Sequence, residues 1–144
     1  MFFGRYEHSL DAKGRVVLPA RFRAGFDTKA HLTQYLDGCL ALWTPDEFNK
    51  RFVEFSQSQE RGTAHRHLAR FWSAGVIEVD IDRQGRVGPV PGHLKEYAHL
   101  DRNVLVVGAM ERIELWDPQE WETRVQPAEA DLRNPPDPVD PARS

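Results

Sequence analysis

Cysteine is almost missing from this chain: Cys39 is the only one in 144 residues, so no intramolecular disulfide is available. His65-Arg66-His67 is too tightly spaced for an i, i+4 metal pair on a helix, and no other set of Cys, His and carboxylates has the spacing of a zinc site. Long apolar runs are also lacking. No stretch approaches the roughly 20 residues needed to cross a bilayer, and the mean hydropathy is -0.58. The opening Met1-Phe2-Phe3-Gly4-Arg5 lacks the basic-then-apolar layout of a secretory signal, so a cytoplasmic location is expected. Neither a phosphate-cradling P-loop nor a dinucleotide glycine fingerprint is present, and His8, His31, His93 and His99 are scattered without an obvious nucleophile. These absences argue against an enzyme, a cofactor, a bound metal and a small-molecule substrate.

A strong excess of one charge is absent too, the net charge being -3. The distribution is uneven, however. Residues 1–30 carry Arg5, Lys13, Arg15, Arg21, Arg23 and Lys29 against Glu7, Asp11 and Asp27, a local charge of +3. The segment 127–144 leans acidic and holds Pro127, Pro135, Pro136, Pro138 and Pro141, a composition that predicts a disordered tail.

What the chain does have is an internal repeat. Asp11-Ala12-Lys13-Gly14-Arg15-Val16 is echoed 71 residues later by Asp82-Arg83-Gln84-Gly85-Arg86-Val87. Leu42-Trp43-Thr44-Pro45-Asp46-Glu47-Phe48 is echoed by Leu115-Trp116-Asp117-Pro118-Gln119-Glu120-Trp121 at an offset of 73. Two echoes in the same order imply a duplicated unit of about 50 residues, each too small to own much of a core. The expected organisation is a first module over 1–55, a helical connector over 56–75, a second module over 76–126 and the tail over 127–144.

Both copies begin the same way. Asp at the first position and Gly at the fourth suit a type I turn, so both motifs predict tight hairpin loops. Pro19 and Pro91 then suit the opening of a short helical turn. Further strands are predicted over Cys39–Trp43 in the first copy and over Val104–Val107 and Arg112–Trp116 in the second. Each copy ends in a helix start: Thr44 and Asp117 as N-caps, Pro45 and Pro118 next, and Glu47 and Glu120 three residues after the caps, the spacing of a capping box. Between the copies, Leu68, Phe71 and Trp72 at i, i+3 and i+4 predict another amphipathic helix, stopped at Gly75.

Each Asp-x-x-x-Arg loop admits two readings. In one it is a good turn, with the Asp bonding backbone and the Arg solvated or paired with that Asp. In the other the Arg serves a ligand, because the turn requires Asp and Gly but gives no reason to repeat Arg immediately after the Gly. A guanidinium presents five donors in a rigid plane, suited to phosphate oxygens or to guanine, and a β-ribbon fits the major groove. Nucleic acid is the natural candidate, double-stranded DNA where a groove is read. The first loop, with Lys13 and Arg15 and with Arg21 and Arg23 close behind, is better equipped than the second, where Arg83 and Arg86 flank a neutral Gln84.

The run Tyr6-Glu7-His8-Ser9-Leu10-Asp11-Ala12-Lys13-Gly14-Arg15-Val16-Val17-Leu18-Pro19-Ala20-Arg21-Phe22-Arg23 resembles the opening of the MraZ family. Leu36-Asp37-Gly38-Cys39-Leu40, Val106-Val107-Gly108-Ala109 and Leu115-Trp116-Asp117 resemble later family blocks in order, so the likeness spans about residues 1–125. The resemblance implies a mixed β fold with helices, in which tandem SpoVT-AbrB-like modules swap hairpins to form one pseudo-twofold β-barrel-like core. It also implies a transcriptional regulator that assembles into a ring and binds direct repeats in the promoter of the division and cell-wall gene cluster, at the nucleoid. Carried onto this sequence, the DNA contacts fall to Lys13 and Arg15 first, then to Arg86 and Arg83. Asp11, Gly14, Asp82 and Gly85 would shape the loops.

One departure stands out. Where the family runs on as an apolar strand, Arg86-Val87-Gly88-Pro89-Val90-Pro91-Gly92 holds an extra residue and two added breakers, which predicts a bent or shortened strand and imperfect symmetry. Two other functions remain open: an antitoxin-like interaction module whose charged loops hold a protein partner, and a ring with a chiefly structural role.

Overall fold

The computed structural model describes residues 1–136, and in it the two copies share a single sheet. The first copy contributes β1 (Phe2–Ser9), β2 (Val16–Val17), β3 (Lys29–Gln34) and β4 (Leu40–Trp43); the second contributes β5 (Ile77–Ile81), β6 (Arg86–Gly88), β7 (Asn103–Met110) and β8 (Arg112–Trp116). All pairings are antiparallel, in the order β1-β7-β8-β4-β3-β5-β6-β2. The end strands β1 and β2 are tied by their own loop, where Asp11 N–H donates to Arg15 O at 2.8 Å, so the sheet nearly closes into a barrel.

The pairing is swapped between halves. β1 lies against β7, and its counterpart β5 lies against β3, so each half completes the other's sheet. Two ladders lie on the pseudo-twofold axis. Val16 faces Val87, its own equivalent in the repeat, and Ala41 faces Glu114, likewise its equivalent. A pair of copies that interlock in this way explains how units of about 50 residues obtain a shared core.

The inner face of the barrel carries Leu18, Phe22, Leu32, Leu40, Leu42, Val87, Val104, Val106, Ile113 and Leu115, all essentially inaccessible to solvent. β4 and β7 are apolar without alternation because both of their faces are covered. Val104 and Val106 face the barrel, while Leu105 and Val107 join Cys39 and Trp116 in a second cluster packed against Trp121 and Val125.

The helices begin as their caps dictate. α2 (Pro45–Ser58) starts with Thr44 Oγ1 accepting from Glu47 N–H at 3.3 Å, and α5 (Pro118–Arg124) with Asp117 Oδ2 accepting from Glu120 N–H at 3.1 Å. The reciprocal half of the capping box is not made, because Glu47 bonds Lys50 and Glu120 bonds His99 and Arg124 instead. α1 (Ala20–Arg23) and α4 (Gly92–Tyr97) follow Pro19 and Pro91. α3 (Thr63–Gly75) ends at Gly75, with Trp72 stacked on Phe55 of α2 at 4.2 Å between ring centroids.

Two expectations need revision, and one strand lies beyond them. β3 was not anticipated, because Lys29-Ala30-His31-Leu32-Thr33-Gln34 is too polar to advertise a strand. The first hairpin splays: its two strands have no ladder with each other and diverge to β7 and β6, whereas β5 and β6 do pair. The acidic segment expected to be disordered holds α6 (Ala128–Arg133), where Gln126 Nε2 bonds Glu129 and Arg133 bonds Glu129, local pairs that a composition argument overlooks. The rest of that expectation, residues 137–144, lies outside the described residues.

Candidate nucleic-acid interface

The two Asp-x-x-x-Arg loops have the same geometry. In loop 1, Gly14 N–H donates to Asp11 O at 2.9 Å, and Asp11 Oδ1 accepts from the N–H groups of Lys13 and Arg15, both at 2.9 Å. In loop 2, Gly85 N–H donates to Asp82 O at 2.9 Å, and Asp82 Oδ1 accepts from Gln84 and Arg86, again at 2.9 Å. Both glycines adopt left-handed φ, +75° for Gly14 and +79° for Gly85, which an L side chain adopts at a cost. In each loop the Asp carboxylate and the left-handed glycine together define the turn.

The second carboxylate oxygen of each Asp holds the arginine. Arg15 Nε donates to Asp11 Oδ2 at 3.0 Å, and Arg86 Nε donates to Asp82 Oδ2 at 2.6 Å. The contact engages the inner edge of each guanidinium. Among the described residues, neither Arg15 nor Arg86 makes a side-chain hydrogen bond through Nη1 or Nη2, so the outer fork stays available. Both carboxyls are held below the ordinary aspartate value, chiefly by the backbone N–H of Arg15 for Asp11 and of Arg86 for Asp82. The bland and the functional readings of these loops are thus compatible, since the ion pair orients an arginine that can still bind.

The loops are brought together by the axial ladder. Val17 faces Arg86 and Val16 faces Val87, so Arg15 and Arg86 are rooted on neighbouring strands two residues out of step. Their Cα atoms are about 8 Å apart by strand geometry. Val16 and Val87 point inward and are buried, whereas Lys13 and Arg83 are exposed at the loop tips. The halves also brace each other's loops: Leu18 N–H donates to Gly85 O at 2.8 Å, and Val90 N–H donates to Gly14 O at 2.8 Å. These bonds are symmetry mates once the extra residue near Gly88-Pro89 is counted. β6, at three residues, is not shortened relative to its counterpart β2, at two; symmetry resumes at Val90, and Arg86 keeps the same pairing with its Asp as Arg15.

The basic surroundings were only partly legible in the sequence. Arg23, adjacent to loop 1 in sequence, lies over loop 2: a Cβ built on Gly85 would fall 2.0 Å from Arg23 Nε. Arg21 sits away from both loops with its guanidinium over the Phe3 ring, 4.8 Å from the centroid. Lys95 and Arg102, not singled out beforehand, border the cavity beside Asp11, Ala12 and Gly14. Among the described residues, no group of three or more His, Cys, Asp or Glu is placed to hold a metal, and no helix is long and apolar enough to cross a membrane.

Comparison with known proteins matches this sequence to a family. The family model described as "MraZ protein, putative antitoxin-like" covers residues 1–71 and 73–139. The chain belongs to the MraZ family. Its relatives include a protein named transcriptional regulator MraZ from Acetivibrio thermocellus, 40% identical over 123 residues, which cover 85% of each chain. A protein of the same name from Moorella thermoacetica is 40% identical over 127 residues, 85% of each chain. Another from Natranaerobius thermophilus is 34% identical over 134 residues and 93% of each chain. The MraZ match crosses both repeats, so both Asp-x-x-x-Arg loops lie within it.

Proposed function

We propose that this MraZ-family chain is a DNA-binding transcriptional regulator, not an enzyme, and that its two Asp-x-x-x-Arg loops are the elements that meet the duplex. The observation that carries this reading is the pair of oriented guanidiniums, each fixed through Nε on its own Asp with the Nη fork unengaged. A fork held in this way is preorganised for a phosphate or for guanine O6 and N7, and fixing it beforehand lowers the ordering cost of binding. Arg15 and Lys13 in loop 1, with Arg86 and Arg83 in loop 2, make the contacts; Asp11, Gly14, Asp82 and Gly85 hold the loops. The names of the relatives support regulation of transcription. The finer reading follows the family resemblance: a cytoplasmic, nucleoid-associated ring of identical chains that binds direct repeats in the promoter of the division and cell-wall cluster and requires no cofactor. Several chains on adjacent repeats would gain avidity where the spacing suits the assembly.

Fluorescence anisotropy with this promoter across a salt series tests the reading. Wild type should prefer the repeats over an unrelated duplex, and Arg15→Ala, at equal oligomer size, should lose that preference. If wild type ignores the promoter at low salt, DNA binding is wrong. A protein-partner function then takes its place, a reading favoured by the apolar side chains Phe52 and Phe71, 50% and 61% exposed on α2 and α3.

A further inference from the structure

Each short helix that follows a loop begins with the same local pattern. In the first half, Phe22 and Arg23 both donate their N–H groups to Pro19 O; in the second, Leu94 and Lys95 both donate to Pro91 O. Phe22 and Leu94 are buried in the barrel, so the next residue in each helix is forced out toward the surface. Because the hairpins are swapped, that surface lies at the other half's loop. Arg23 lies over Gly85 of loop 2, and Lys95 borders, together with Asp101 and Arg102, the cavity beside Asp11 and Gly14 of loop 1.

Structural need explains only part of this arrangement. Arg23 Nε donates to Leu18 O at 3.0 Å, which fixes the side chain but engages one of its donors. Lys95 makes no side-chain hydrogen bond or ion pair among the described residues, yet it occupies the mirror position. A purely structural arginine would have no reason to be matched by an unpaired lysine. At loop 2 the charge balance points the same way. Loop 2 gathers Arg23, Arg83 and Arg86 around Asp82, whose charge is already committed to Arg86.

We infer that each DNA-contacting loop is completed by a basic side chain from the opposite half, Arg23 for loop 2 and Lys95 for loop 1, and that both bind backbone phosphate. The inference rests on the DNA-binding function proposed above. Arg23 stands back from the tip of loop 2, beside the buried Gly85, and Lys95 lines the same cavity as the half-buried Gly14 of loop 1. From there they reach the backbone that flanks a groove more readily than the base edges inside it. Phosphate contacts set position and affinity and carry no base sequence directly, so these residues should act on every duplex alike. The two sides are unequal, since the guanidinium of Arg23 grips a phosphate through two donors and the ammonium of Lys95 acts as a point charge.

The test is the salt dependence of binding for wild type, Lys95→Ala and Arg23→Gln, each with the promoter repeats and with an unrelated duplex. The glutamine retains a donor for Leu18 O without the charge. Each variant should lower the slope of log Kd against log salt by about 0.9 and weaken both duplexes to the same degree, roughly five- to tenfold at moderate salt. Preference for the repeats should remain. A Lys95→Ala protein with the wild-type slope overturns the inference even if Arg23→Gln unfolds, because Lys95 has no internal bond to lose. Loss of repeat preference with an unchanged slope would show base contact and also overturn it. Failure of wild type itself to bind any duplex would reject the parent reading, and this one with it, and is distinguished by the wild-type curve alone.

Discussion

Leu18 of the first half donates its backbone N–H to the carbonyl of Gly85 in the second at 2.8 Å, and this bond holds loop 2 against a strand to which it is not adjacent in sequence. Gly85 is constrained twice there, by its φ of +79° and by Arg23 lying where a Cβ would stand. Gly14 has the left-handed φ but no atom nearer than 3.6 Å to such a Cβ. Gly14→Ala should therefore cost about 1 kcal/mol from backbone strain alone. Gly85→Ala should cost about 2–3 kcal/mol, because overpacking adds to strain. Denaturant melts of the two variants check this ranking, and equal losses would show that Arg23 moves aside freely.

Removing Asp11 separates two effects of opposite sign. Asp11→Ala deletes a negative charge beside the proposed DNA surface, which by itself strengthens attraction to any duplex. It also releases Arg15 Nε and the N–H groups of Lys13 and Arg15. If orientation matters more, affinity for the promoter repeats falls by about tenfold or more while binding to unrelated DNA holds or improves. Tighter binding to the repeats would show that Asp11 is only an electrostatic burden.

The same carboxylates set a pH window. Their folded pKa values lie below the ordinary aspartate value, so the stability they contribute is fully present above the unfolded value and is lost only as pH falls through the lower folded values. Loop geometry should be unchanged from neutral pH down to about 5. Carboxyl carbon shifts followed by NMR should place both midpoints below that of an aspartate in an unstructured peptide, and midpoints at or above it would refute the loop hydrogen bonding described.

Trp43 Nε1 donates to Thr33 Oγ1 at 2.9 Å in full burial, beneath α2. Thr33→Val keeps the shape and removes the acceptor, which leaves a buried indole donor unpaired. The expected loss is about 1–3 kcal/mol in thermal or urea unfolding, with DNA binding at low temperature unchanged. A variant as stable as wild type would indicate another acceptor for the indole.

Cys39 is buried, donates through Sγ to Leu36 O at 3.4 Å, and has its thiol pKa pushed up by burial. A thiol reagent such as DTNB should therefore leave the native protein unmodified and react with one equivalent after unfolding. Rapid native modification would mean that the strand-edge cluster around Cys39 opens readily.

The parts legible in the sequence were those whose chemistry is local. Thr44, Asp117 and the prolines after them named two helix starts, and the Asp-Gly spacing named two loops, because each feature is satisfied within five residues. The parts that were not legible depend on partners from the other half. β3 looks polar because Thr33 and Gln34 are buried only once Trp43 and the helices cover them. Arg23 looks like a neighbour of loop 1 until the hairpin swap carries it to loop 2. The extra residue after Val87 suggested broken symmetry, yet Val90 restores the bond that Leu18 makes on the other side.

The fusion of the two halves into one chain has a consequence for direction. A pair of identical subunits presents identical hands, and a duplex that satisfies both must read the same from either end. Here the hands are joined covalently and have become unlike: Lys13 in loop 1 stands where Gln84 stands in loop 2, and Arg23 where Lys95 stands. If the two loops are the hands, as proposed, such a molecule would have a head and a tail along the duplex. Copies laid side by side on a tandem site would all face the same way, so their orientation would be written into the protein as well as into the DNA.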